Sequence, residues 1–99
     1  MIRFIRVASI APGKITEALA FAHEVAASFE KHTGMKLQIM VPVGGNPQRI
    51  AWRAEYENLG ALENVQAKLL TDAKYQELIA RGSGYFIAGS LFDSIWRTI

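Results

Sequence analysis

The sequence predicts an α+β fold, a four-stranded antiparallel sheet with helices packed on one of its faces. Three observations predict it. Residues 49–57, RIAWRAEYE, alternate strictly: Ile50, Trp52, Ala54 and Tyr56 on one side, Arg49, Ala51, Arg53, Glu55 and Glu57 on the other. That is the pattern of a half-buried strand. Upstream, Ile15, Ala18, Leu19, Ala22, Val25, Ala26 and Phe29 recur at three- and four-residue spacings, the apolar stripe of a helix packed on one side. Just before the alternating stretch, GGNPQ carries the turn residues that join two strands into a hairpin.

The elements follow in order. Residues 2–10, IRFIRVASI, are rich in β-branched and aromatic side chains and read as the first strand. Pro12 and Gly13 end it, and the helix runs from Lys14 to about His32 with Gly34 as its C-terminal cap. Residues 35–43, MKLQIMVPV, form the second strand and RIAWRAEYE the third. Asn58 is an N-cap for a helix carrying Ala61, Leu62, Val65, Leu69 and Leu70 at helical spacing. Thr71 and Asp72 punctuate it, and Asp72 can cap a second piece, Ala73 to Arg81. Gly82, Ser83 and Gly84 break that helix, Tyr85 to Ala88 is a short extended segment or part of the connection, and Leu91 to Ile99 is the last strand. The order β-α-β-β-α-β is the ferredoxin-like arrangement, and the 99 residues read as a single domain of that kind.

Composition narrows the function. The hydrophobic content of 51% suggests more apolar surface than one small core absorbs, which an oligomer would cover. The net charge is only +2 and its positive members are scattered, so binding to nucleic acid gets little support. Without cysteine there is no disulfide, thiolate nucleophile or Cys-ligated metal, in keeping with a cytoplasmic setting. The first residues alternate with Arg3 and Arg6 instead of forming a signal peptide, and no apolar run approaches the roughly 20 residues of a membrane helix.

Helices cover one face of such a sheet. Trp52, Tyr56, Leu37, Ile39, Val41 and Val43 are expected to face them. Gln38, Met40, Arg49, Ala51, Arg53, Glu55 and Glu57 face away. The first strand is apolar on both sides. The last offers Phe92, Ser94 and Trp96 on one side and Leu91, Asp93, Ile95 and Arg97 on the other, with no basis for choosing. A second face that mixes large apolar groups with Arg and Glu suits a subunit interface, with Arg49, Arg53, Glu55 and Met40 at its centre. The competing reading is a solvated face with stray hydrophobic residues.

APGK, Ala11 to Lys14, and the stretch AWRAEYENLGALENVQAKLLTDAKYQEL, Ala51 to Leu78, resemble the NIPSNAP-like family. They are similar more widely to the dimeric α/β-barrel superfamily, which includes the antibiotic-biosynthesis monooxygenases. The resemblance covers nearly the whole chain in element order. It implies two ferredoxin-like units joined sheet to sheet as a homodimer, each with a ligand cavity between its sheet and its own helices. Trp52, Tyr56, Ile39, Ala22 and Phe29, with Tyr75 or Tyr85, would line that cavity. Apolar walls with a few polar tips are what a small aromatic or lipid-like ligand requires.

Catalytic candidates are few. His23, at the edge of the first helix's stripe, could act as a general base or simply sit at the boundary with water. His32, at the helix end, reads as structural. Asp93 interrupts an apolar alternation; on the helix side it would need a partner such as His23 or a tyrosine, and on the other side an arginine. Tyr56, Tyr75 and Tyr85 could orient a phenolic ligand or serve as core aromatics with hydroxyls at the edge. Two histidines without clustered carboxylates make no metal site, and no cofactor motif occurs. The haem-degrading branch of the superfamily uses an Asn-Trp-His set; Asn64 has no histidine after it at helical spacing, a departure that argues against haem chemistry. The expectation is a homodimer that binds or transforms a small apolar, ring-containing molecule, as a cofactor-independent monooxygenase or isomerase would. The alternative is a non-catalytic dimeric binding or structural module.

Overall fold

The computed structural model describes residues 1–99. Four strands, β1 (Ile2–Ser9), β2 (Gln38–Met40), β3 (Arg49–Tyr56) and β4 (Phe92–Arg97), form one antiparallel sheet in the order β2-β3-β1-β4. Helices α1 (Ile15–Thr33), α2 (Leu59–Leu70) and α3 (Ala73–Arg81) complete the α+β, ferredoxin-like arrangement, with a 3-10 turn at Ser83–Tyr85. No helix is long and apolar enough to cross a membrane.

The helix boundaries follow from their caps. Gly34 ends α1 in the left-handed region at φ 72°, donating its N–H to the Glu30 carbonyl. The Asn58 side chain accepts from Ala61 N at the start of α2, and Asp72 accepts from Tyr75 N at the start of α3. The other Asp72 oxygen lies 3.0 Å from His32 Nε2, and His32 Nδ1 lies 2.8 Å from the Ser28 carbonyl. His32 therefore ties the end of α1 to the start of α3, consistent with a structural role.

Register decides the two faces. β1 pairs with β3 so that Ile2, Phe4, Arg6 and Ala8 lie opposite Tyr56, Ala54, Trp52 and Ile50, all on the helix side. Phe21, Val25 and Phe29 of α1, Leu62 and Leu69 of α2, and Tyr75 and Leu78 of α3 close over Ile2, Ala54 and Tyr56. Ala18 and Ala22 pack with Ala8, Ile10, Ile50 and Trp52 in a second cluster.

One expectation is corrected and two open alternatives are decided. The second strand is only Gln38–Met40; Pro42 has no N–H to give a ladder, and Val41 and Val43 stand in solvent instead of facing the helices. Phe86 bridges to Ile10, and Ile87 N donates to the Ser9 carbonyl, so the segment after the 3-10 turn edges the end of β1. In β4, Asp93, Ile95 and Arg97 take the helix side and Phe92, Ser94 and Trp96 the outer side.

Gly82, at the end of α3, sits so close to α1 that a Cβ there would run into the Phe21 ring. Its φ of −87° is ordinary, so the need for glycine is steric. Gly82→Ala should therefore destabilise the fold by about 1–3 kcal/mol, read as a lower urea midpoint. Gly84→Ala, with open space at its Cβ, should leave the midpoint nearly unchanged.

Candidate functional site

The residues expected to line a cavity under the helices are instead packed against one another. Trp52 is 8% exposed and Tyr56 4%, while Ala22 and Phe29 are buried. Phe86, which the sequence did not single out, completes the aromatic wall. Its ring lies 5.7 Å from Trp52 and 5.8 Å from Phe21. Tyr85 packs edge-on to Phe21 at 5.9 Å. Rings at these distances and tilts attract beyond the area they bury. Shallow hollows of about 260 and 210 Å³ flank β3 on the outer side. Val7, Met40 and Arg49 line the first, and Gln38, Arg53 and Glu55 the second.

One polar atom in the wall stands out. Trp52 Nε1 is buried and finds no hydrogen-bond acceptor. An unsatisfied buried donor costs about 1–3 kcal/mol. Across the strand pair from Trp52 lies Arg6. Its guanidinium donates to Asp93 through Nε at 2.7 Å and Nη2 at 2.9 Å, and it sits 5.6 Å from the centre of the Phe4 ring. The hydrogen bonds to Asp93 raise the Arg6 pKa, against the cost of its partial burial, so the group stays a cation. Asp93 thus lies on the helix side, as one reading allowed. Its partner is an arginine, not His23 or a tyrosine, and it remains exposed because the helices stop short of β4.

Tyr75 and Tyr56 are the phenols on this side. Burial pushes both above the usual tyrosine value of 10.0; Tyr75 pushes Tyr56 further, and the Arg6 charge pulls Tyr75 back. Both are therefore neutral hydrogen-bond donors at physiological pH. The structure thus sets Trp52 opposite Arg6 and Tyr75 within reach of its charge, while Tyr56 packs with Tyr75 in the other core cluster and Tyr85 lies along the aromatic wall. His23 lies on the exposed side of α1, outside this cluster.

On the outer face lie Arg49, Arg53, Glu55 and Met40, as expected, together with Ile5, Val7, Ala51, Phe92 and Trp96. Arg53 and Glu55 are already paired within the chain, and Arg49 is not. Arg3 and Arg53 both donate to Glu55, and Arg53 also donates to Gln38. Phe92 and Trp96 are 69% and 63% exposed.

No family model matches the chain, and no curated protein matches it. Solved structures do. A NIPSNAP family protein from Agrobacterium tumefaciens is 22% identical over 99% of this chain and 85% of its own, with a TM-score of 0.84. An uncharacterized NIPSNAP domain protein from Burkholderia xenovorans is 15% identical over 100% and 95%, with a TM-score of 0.85. A provisionally named antibiotic biosynthesis monooxygenase from Nitrosomonas europaea is 14% identical over 100% and 99%, with a TM-score of 0.75. The likeness is one of fold, and it falls on the two groups that the sequence resembles.

The buried phenols carry a pH signature. Their folded pKa values lie above the unfolded value, so their contribution to stability is complete below about pH 10. It is lost as pH rises through the folded values. Urea midpoints should fall as pH rises above about 10, and the fall should be shallower in Tyr56→Phe and Tyr75→Phe, measured by circular dichroism. Arg6→Gln should raise the Tyr75 ionisation further, visible in absorbance at about 295 nm.

Proposed function

We propose that the chain is one subunit of a homodimer that binds a small, ring-containing molecule on the helix side of its sheet. The observation that carries the ligand reading is the buried, unpartnered Trp52 N–H set in an aromatic wall with Phe86 and Phe21. A ring with one acceptor oxygen would satisfy it once the packed Trp52, Phe86 and Phe21 rings part to admit it. The name of the Nitrosomonas structure supports carrying the reading further, to a monooxygenase; a cofactor-independent mechanism or an isomerase is the extension that the resemblance of the sequence suggests. The exposed position of His23 favours the second reading, a binding module without chemistry, because it leaves that histidine too far out to act as a base.

The homodimer is supported by the outer face. Val7 sits at its centre, paired with Ala51 on one side and Phe92 on the other, and Trp96 stands exposed at its rim. Sheet-to-sheet contact would remove this apolar surface from water.

Two measurements test the proposal. Sedimentation at micromolar concentration should give twice the chain mass, and Val7→Asp should weaken the dimer at least tenfold while keeping the far-ultraviolet spectrum. A monomeric wild type would overturn the assembly. For the ligand, 2-naphthylmethanol should shift the indole N–H resonance of Trp52 in a Trp96→Phe background, where one indole signal remains. No shift at millimolar probe would overturn the binding reading.

A further inference from the structure

The outer face of the sheet carries two projections and two hollows, and they fall in matching rows. Phe92 and Trp96 project from β4 with most of their surface in water. The hollows lie on the far side of β1. In the first row, Phe92 pairs with Val7, Val7 with Ala51, and Ala51 with Met40. Ala51 is the small member between Val7 and Met40, and the hollow of about 260 Å³ opens over it. In the second row, Trp96 pairs with Arg3, and Arg3 with Glu55. Glu55 lines the hollow of about 210 Å³ together with Arg53 and Gln38.

Each hollow also suits the projection in its row. The first is walled mainly by apolar side chains, Val7, Met40, Val41 and Pro42 among them, as a phenyl ring requires. The second is polar. Arg3 and Arg53 both donate to Glu55, yet the Nε of each is buried without an acceptor. The face of an indole ring is an electron-rich partner for a guanidinium, and tryptophan is the strongest of the aromatic side chains in this role.

Within one chain no projection reaches the hollow in its row, because β1 lies between β4 and β3. Two strand spacings separate them by roughly 10 Å. A second copy has no such barrier. A twofold axis lying between two facing sheets, parallel to β1, leaves every row at its own height and exchanges the two sides of β1. It carries β4 of each subunit over β3 of the other. Aligned packing keeps strand directions within about 30°, so the rows stay nearly level over one strand spacing. A twofold axis at right angles to the strands would instead set β4 on β4 and hollow against hollow.

We propose that the outer face docks a second copy of this chain about an axis along β1, with Phe92 of each subunit seated in the hollow over Ala51 of the other and Trp96 lying on the Arg53–Glu55 pair. The inference rests on the homodimer reading above and specifies its orientation and its anchors. Val7 meets its own copy on the axis. Ala51 matters through its small size, which admits the ring.

An exchange of size tests this. Ala51→Phe fills the hollow from within, and Phe92→Ala removes the anchor. Each should weaken the homodimer about tenfold or more in sedimentation, with the far-ultraviolet spectrum kept. Mixed in equal amounts, the two variants should pair as a heterodimer, read by native mass spectrometry, with an affinity within about threefold of wild type. There the intact Phe92 of one variant meets the intact hollow of the other, and the filled hollow meets the shortened side chain. Should Ala51→Phe fail to fold, cysteine pairing decides, since the chain has no cysteine of its own. A short bis-maleimide should join Ala51→Cys to Phe92→Cys in a mixture and should not join Phe92→Cys to itself. Trp96→Leu should weaken the homodimer several-fold, and the loss should shrink in an Arg53→Gln background; a loss of equal size in both would overturn the Trp96 contact. A wild-type dimer whose affinity survives Phe92→Ala, a mixture no tighter than its components, or Phe92→Cys joined to itself would overturn the inference and leave the homodimer standing. A monomeric wild type would overturn both.

Discussion

The pairing of β1 with β3 is the constraint on which the rest depends. It is the longest strand contact, and it joins eight residues to eight in one register. A slip of one residue would carry Ile2, Phe4 and Ala8 to the outer face and bring Arg3, Ile5 and Val7 under the helices. The apolar alternation of β3 then has only one partner arrangement in which Ile2, Phe4 and Ala8 of β1 join it beneath the helices. Everything on the helix side inherits that choice: the two clusters that hold α1, the place of Tyr56 beneath Tyr75, and the neighbours of Arg6.

Much of this was legible in the sequence because the signals were local. Asn58, Asp72 and Gly34 cap where short-range hydrogen bonding says they should, and Ala73 to Arg81 is a helix from end to end. The alternation of residues 49–57 gave the inward set Ile50, Trp52, Ala54 and Tyr56 directly. Expectations failed where the deciding fact was not local. Val41 and Val43 continue an apolar alternation, but Pro42 and the position of β2 at the sheet edge leave them no partner strand. The last strand has large side chains on both sides, so only its pairing with β1 could orient it.

The site was half legible for the same reason. Trp52, Tyr56 and Tyr75 were visible as inward aromatics. Arg6 was passed over because β1 is apolar on both sides, and a single arginine there could face either way. The readable signal was a pair: one cation and one anion, each interrupting a strand's apolar series, in strands that the fold makes neighbours. Phe86 carried no such signal, since its place beside Trp52 comes from an isolated bridge to Ile10. A chain that obeys its local rules nearly everywhere and breaks them at two paired positions does so where something other than packing is being served.

β4 is where the outer and inner faces of the sheet are both uncovered. It is an edge strand held mainly by β1, and both of its faces are open. Phe92 and Trp96 look outward, toward the face a second subunit would cover, while Asp93, alternating with them, grips Arg6 on the inner side. An exposed ion pair of this kind contributes about 0–1 kcal/mol by itself. Its geometry therefore depends on how firmly the strand is held. Covering Phe92 and Trp96 would hold β4 against β1 without touching the inner face, and so would steady the carboxylate that orients Arg6. On this account the outer and inner faces of β4 are not independent surfaces. In the proposed dimer, the residues that a second subunit would cover also set how firmly the Arg6–Asp93 pair is held.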